Sequence, residues 1–265
     1  GPAGTGKSTF WEQFAARTGR SYTQIVCDKT LSRLELFGGY QLVNGSTQWR
    51  HGVLTLAITR PGAIVLLDEP SAARPGELIA LHGLLVPGGR LTLETGEVVF
   101  PADGVYFAAA DNTAGRGDET GQYIDTGPMN AAFVDRWGVT VQFEYLAADV
   151  EAQILVKRVH GLPLSVALSL AEVAATARAG VLAGTLSIAP SLRRLIAWGG
   201  QIMEKRPVLR AAQVTLLSTL TAIDREALHQ IIVAKIDEDA VKRALKGEAQ
   251  PAPDVPKLDG DGNPF

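Results

Sequence analysis

The first eight residues, Gly1-Pro2-Ala3-Gly4-Thr5-Gly6-Lys7-Ser8, fit the pattern G-x-x-x-x-G-K-[ST] and constrain this chain more than any other feature. Such a loop works between a strand and a helix, where glycines let consecutive backbone N–H groups close around phosphate oxygens. Lys7 is placed to reach the outer phosphates of ATP, Ser8 to offer its hydroxyl to Mg2+, and Thr9 to continue the same turn. A helix through Phe10, Phe14 and Ala15 would aim its positive N-terminal end at the nucleotide. Gly1 already lies inside the motif, so the sequence predicts a supporting strand ahead of it, contributed by a longer gene product. The alternative is a glycine-rich turn that matches by chance.

The rest of the chain weighs against chance. Four apolar residues, Ile64-Val65-Leu66-Leu67, run into Asp68-Glu69, as when a buried parallel strand delivers carboxylates to the C-terminal edge of a sheet. Asp68 would hold Mg2+ through water. Glu69, within reach of the terminal phosphate, could act as general base for water, which favours hydrolysis over transfer to another acceptor. A second strand-like run, 105–110, ends in Asp111-Asn112, where the Asn112 amide could orient the attacking water or simply serve a turn. Residues 133–137 close a helical stretch before a further expected strand at 139–143. Arg136 reads either as an arginine finger acting from a neighbouring subunit, or as a surface ion pair with Asp135 or a cation at a helix end.

From about Ala147 the pattern becomes alanine-rich and helical, with helices expected at 150–159, 165–179, 191–204 and 209–223. Arg193, early in the third of these, could reach the nucleotide from a lid or could belong to a polar helix face. Prolines at 251, 253, 256 and 264 among glycines and aspartates predict a disordered tail. Two hairpins are expected, one turning at Asn44-Gly45 and one joining 91–93 to 98–100 through Glu94-Thr95-Gly96-Glu97. Each could contact a partner or merely connect. The boundaries that follow are 1–146 for a nucleotide-binding α/β domain, 147–246 for a helical lid and 247–265 for the tail.

A formal net charge of -3 gives no general attraction for nucleic acid or an anionic membrane, and neither partner is expected. The single cysteine, Cys27, excludes an internal disulfide framework and suits the cytoplasm, with a structural thiol as its expected role. No run of uninterrupted apolar residues reaches the roughly 18 needed to span a bilayer.

The order of these motifs resembles AAA+ ATPases of the MoxR and dynein-related branch. The carriers are the phosphate loop, Phe37-Gly38-x-Tyr40, Trp49-x-x-Gly52-x-Leu54, Asp68-Glu69, a hairpin, Asn112 and Asp135-Arg136-Trp137. Within that branch the residues 111–123, with Asn130, Arg74-Pro75, Ser191-x-Arg193 and Trp198, resemble the CobS-like ATPase subunit of aerobic cobaltochelatase. Pro70 and Ser71 depart from the pattern, standing where CobS-like chains have an aromatic residue and an acid. Val86-Pro87 is a second departure.

The resemblance implies an α/β P-loop AAA+ domain of three layers, its first strand outside this sequence, followed by a small all-helical lid. It further implies ATP and Mg2+ as ligands and a hexameric ring. It implies as well a partner bearing a von Willebrand A domain, with a metal chelatase as one candidate. Lys7, Ser8, Asp68, Glu69 and Asn112 would serve nucleotide and water, Arg136 would be the finger, and Arg193 the second sensor. A nucleotide-dependent assembly scaffold with little turnover and a P-loop small-molecule kinase are the alternatives.

Overall fold

The computed structural model describes residues 1–74, 76–117, 123 and 126–248. Seven strands occur among them, in chain order β1 (Tyr22–Val26), β2 (Gly38–Val43), β3 (Ser46–His51), β4 (Ile64–Asp68), β5 (Leu91–Thr92), β6 (Val98–Val99) and β7 (Tyr106–Ala110). Strands β1, β4 and β7 form one parallel sheet in the order β1-β4-β7. The helices are α1 (Lys7–Thr18), α2 (Arg33–Phe37), α3 (Val53–Ile58), α4 (Ala131–Val134), α5 (Ala148–Arg158), α6 (Leu164–Leu182), α7 (Leu192–Met203), α8 (Val208–Thr215), α9 (Ala222–Lys235) and α10 (Glu238–Leu245). The chain divides into two compact units, Gly1–Glu144 and a second from Tyr145 onward.

The first unit is organised around β4, whose four apolar residues are at most 1% exposed because the sheet is covered on both faces. Side chains alternate across a strand, so Val65 and Leu67 join Leu54, Ile58 and Phe37 on one face. Leu66 meets Ala108, Ala110 and the partly buried Trp11 of α1 on the other. Fully burying a Leu or Ile side chain stabilises a fold by about 1.5–3 kcal/mol. This strand therefore anchors the site that it delivers.

Register then sets the site. Val26 stands opposite Asp68, and Asp68 opposite Ala110, so the three strands end level. The ladder continues one step past each end. Cys27 N–H donates to the Asp68 carbonyl at 2.7 Å, and Glu69 N–H to the Ala110 carbonyl at 2.7 Å. Cys27 is buried at that edge, and its thiol is pushed up to about 12, first by burial and then by the Asp68 charge. It stays a neutral packing group.

The hairpin β2–β3 turns at Asn44 and Gly45, whose φ values of 50° and 79° are both positive, as a type I′ turn requires. The second expected hairpin is the short antiparallel pair β5–β6. The stretch 139–143, expected as a strand, is not one. Val139 and Val141 are 82% and 66% exposed. No strand among the described residues offers this stretch a ladder, and apolar alternation alone does not make a strand without hydrogen-bonded neighbours.

In the second unit, α6 buries a stripe of Val166, Leu170, Val173, Ala174 and Ala177, spaced as one face of a helix. By length and composition α6 could cross a membrane, with a mean hydropathy of 1.3. Here it is the core helix, and its Arg178 is buried against Glu151 at 2.8 Å and over the Tyr145 ring at 3.8 Å. Burial pushes the Glu151 carboxyl up, while Arg178 opposes that shift. Trp198 is fully buried, its Nε1 donating to the Val208 carbonyl at 3.1 Å.

The single helix expected at 209–223 is instead interrupted. α8 stops at Thr215, a 3-10 turn covers Leu217–Thr219, and Thr221 starts α9 by accepting the Asp224 N–H at 3.2 Å. Asp224 is held in turn by the Ser187 N–H at 2.8 Å. The tail expected at 247–265 lies, beyond residue 248, outside the described residues.

Candidate functional site

Gly4 and Gly6 adopt φ values of 77° and 89°, a region that disfavours other residues, and Gly6 caps α1. A Cβ on Gly6 would meet nothing within 4 Å, so backbone conformation rather than crowding requires glycine there. The loop closes on Lys7. Its Nζ donates to the Gly1 carbonyl at 2.7 Å, the Pro2 carbonyl at 2.8 Å and Asn112 Oδ1 at 2.7 Å. Thr5 Oγ1 donates to the Pro2 carbonyl at 2.9 Å, and Ala3 N–H to the Tyr123 hydroxyl at 3.1 Å. Thr9 follows in the first turn of α1. Burial lowers the Lys7 pKa, an effect opposed by the Glu69, Asp111 and Asp68 carboxylates.

In the first turn of the helix, Ser8 Oγ lies 3.0 and 3.2 Å from the two Asp68 carboxylate oxygens. Gln24 Nε2 donates to Asp68 Oδ2 at 2.5 Å from the neighbouring strand. Glu69 takes the left-handed conformation, φ 58° and ψ 50°, an arrangement uncommon for a residue with a Cβ and often found at functional sites. Its carboxyl pKa is raised, first by burial and then by the charges of Asp111 and Asp68. That direction moves a general base toward neutral pH.

Asn112 joins the two halves of the site. Its Oδ1 accepts from Lys7 while its Nδ2 donates to Glu69 Oε1. The side chain therefore does more than close a turn. Beside it, Asp111 accepts from the N–H and hydroxyl of Ser71 at 3.3 and 2.5 Å. It also accepts from the N–H and hydroxyl of Thr113 at 3.0 and 2.9 Å, and from the Gly115 N–H at 2.9 Å. Burial pushes Asp111 up, but these hydrogen bonds outweigh it and leave its pKa lowered.

Sequence reasoning passed over Gln24, Asp111, Ser71 and Tyr123 as site residues. Only the adjacency of Asp111 to Asn112 offered a signal. Arg136 is placed by α4, which Asn130 caps by accepting the Ala132 N–H at 2.8 Å. Arg136 Nε donates to the His82 carbonyl at 3.2 Å, and its Nη1 to the Ala132 carbonyl. Among the described residues no hydrogen bond ties it to Lys7, Asp68 or Glu69. Arg193 is in the first turn of α7, in the second unit. Of the stretch 111–123, residues 118–122 lie outside the described residues, as does Pro75.

The donor set suits a nucleotide and Mg2+. The described residues hold no cluster of three or more His, Cys, Asp or Glu that could bind a metal by itself. The Ser8 hydroxyl, beside the Asp68 carboxylate, would instead offer one hard oxygen directly and Asp68 would hold a water ligand, in keeping with a Mg2+ whose other ligands are phosphates and water. A separate cavity of about 450 Å3 lies behind Pro70–Ala72, lined in part by Leu78, Met129 and Phe133. Its lining is mainly apolar and does not include Lys7, so it is not the phosphate site.

Residues 1–126 match the AAA domain (dynein-related subfamily), and residues 151–239 match the CbbQ/NirQ/NorQ C-terminal domain. The aerobic cobaltochelatase subunit CobS of a Sinorhizobium species is 32% identical over 231 residues, covering 84% of this chain and 69% of that protein. The chain belongs to the AAA+ ATPase family. NorQ of Paracoccus denitrificans is 40% identical over 113 residues, 42% of each protein. CbbQ of Hydrogenophilus thermoluteolus is 29% identical over 222 residues, covering 83% of this chain and 79% of that relative. The AAA+ chain is thus MoxR-like and CobS-like, with an α/β nucleotide-binding domain and a helical C-terminal region.

Proposed function

We propose that this AAA+ chain binds Mg·ATP and hydrolyses it, as a cytoplasmic ring of identical subunits, to remodel a partner protein. The observation that carries this reading is the Asn112 side chain, bonded at once to Lys7 and to Glu69. One amide would then hold the phosphate-binding cation and the base in a fixed relation to each other. Gly1 to Gly6 would wrap the phosphates with backbone N–H groups, Lys7 would neutralise the outer oxygens, and Glu69 would take the proton from water. Mg2+, held by Ser8 and through water by Asp68, would offset charge building on the phosphate oxygens. Arg136 would act on a neighbouring subunit's nucleotide, in keeping with its separation from this chain's own Lys7 network. The second unit would serve as the lid, with Arg193 reaching the nucleotide.

The partner follows from the relatives' names only as a class. Those names cover a cobaltochelatase subunit, a denitrification regulatory protein and a putative chaperone. A shared engine with different targets accounts for that spread, and a chelatase-type or von Willebrand A partner is one candidate.

Lys7→Ala tests the nucleotide site. Hydrogen bonds to charged groups contribute about 1.5–3 kcal/mol, so ATP affinity measured by calorimetry should fall roughly 10- to 100-fold. Unchanged affinity in a folded variant would refute the assigned loop.

A further inference from the structure

We infer that Asp111 is a positioning residue, locking the segment after Glu69 to the loop that carries Asn112, so that base and water-orienting amide keep one geometry. The inference rests on the reading of Glu69 as the base and deepens it. Asp111 is half-buried at the end of β7 and uses both carboxylate oxygens. Oδ1 takes the Ser71 N–H and hydroxyl, and Oδ2 takes Thr113 N–H, Thr113 hydroxyl and Gly115 N–H. One oxygen thus grips the turn two residues beyond Glu69, and the other grips the turn just beyond Asn112. The backbone already joins these segments through the Glu69 N–H on the Ala110 carbonyl at 2.7 Å. The Ala72 N–H on the Glu69 carbonyl at 2.9 Å closes the turn after it, but neither bond ties that turn to the loop beyond Asn112. The Asp111 bridge supplies that tie.

Five donors converge on this side chain, and an amide cannot accept them all. In Asp111→Asn the NH2 group must face either Ser71 or the Thr113–Gly115 turn, setting donor against donor. The effect on nucleotide affinity should be small, because among the described residues Asp111's side chain hydrogen-bonds to none of Lys7, Ser8 or Asp68 and acts on Lys7 only through its charge, behind that of Glu69. The effect on turnover should be large, since a misplacement of about 1 Å can cost on the order of 100-fold in rate.

The experiment measures kcat, KM and ATP affinity for the full chain, for Asp111→Asn, for Ser71→Ala and for the double variant, with Glu69→Gln beside them. The expected result is a kcat lowered roughly 10- to 100-fold in Asp111→Asn, with ATP affinity within about threefold of the parent. The double variant should be no slower than Asp111→Asn alone, because both changes break the same bridge. Wild-type kcat in Asp111→Asn overturns the inference. So does a parallel loss of binding and turnover, which would mark Asp111 as a general support of the fold, and so does multiplicative slowing in the double variant. Full turnover in Glu69→Gln would instead refute the base itself. Loss of turnover there with none in Asp111→Asn would refute this inference alone.

Discussion

Glu69→Gln should bind ATP with the affinity of the parent chain and lose turnover by about 10²- to 10⁴-fold, the usual contribution of a positioned general base. The substitution keeps the shape of the side chain and removes the group that can accept the proton from water. The Asn112 amide can still bond the new Oε1, as it bonds Glu69 now, so the loop around Lys7 should stay in place. Phosphate release and fluorescent-nucleotide binding, measured on one preparation, separate the two effects. Retained turnover would remove Glu69 from the mechanism while leaving the nucleotide site intact.

Arg136→Ala should have a comparable or larger effect. An arginine finger contributes 10³–10⁵ to kcat in phosphoryl transfer, so turnover should fall on that order while ATP binding persists. The guanidinium is held at Nε by the His82 carbonyl and at Nη1 by the Ala132 carbonyl. Its stem is therefore fixed even before a neighbour arrives. Mixing Arg136→Ala with Glu69→Gln subunits gives the decisive readout. Some interfaces in a mixed ring would pair an intact Glu69 with an intact Arg136, so activity should reappear that neither variant has alone. A mixture as inactive as its components would count against the trans role.

Much of this was legible in the sequence because the strongest signals are local. The phosphate loop is contiguous, and a continuous apolar run ending in two acids is how a strand covered on both faces looks. The N-G turn and the helix α6 follow the same logic. What escaped was set by pairing between distant strands. Gln24 reaches Asp68 across 44 residues and Ser71 reaches Asp111 across 40, contacts that exist only because β1, β4 and β7 share one register. The stretch 139–143 failed for the converse reason, since its alternation was right but no strand among the described residues pairs with it. The helices α9 and α10 were passed over, although Thr221-x-x-Asp224 is a readable start signal. So was the short α2, whose Ser32 and Glu35 form a capping box that the sequence spells out.

The most direct test of the central claim, an ATPase completed by a second copy of itself, is steady-state phosphate release from Mg·ATP as protein concentration is raised through the range of assembly. The account predicts specific activity that climbs with concentration and then levels off. Specific activity that is flat across that range, or no release from a chain saturated with ATP, would contradict it.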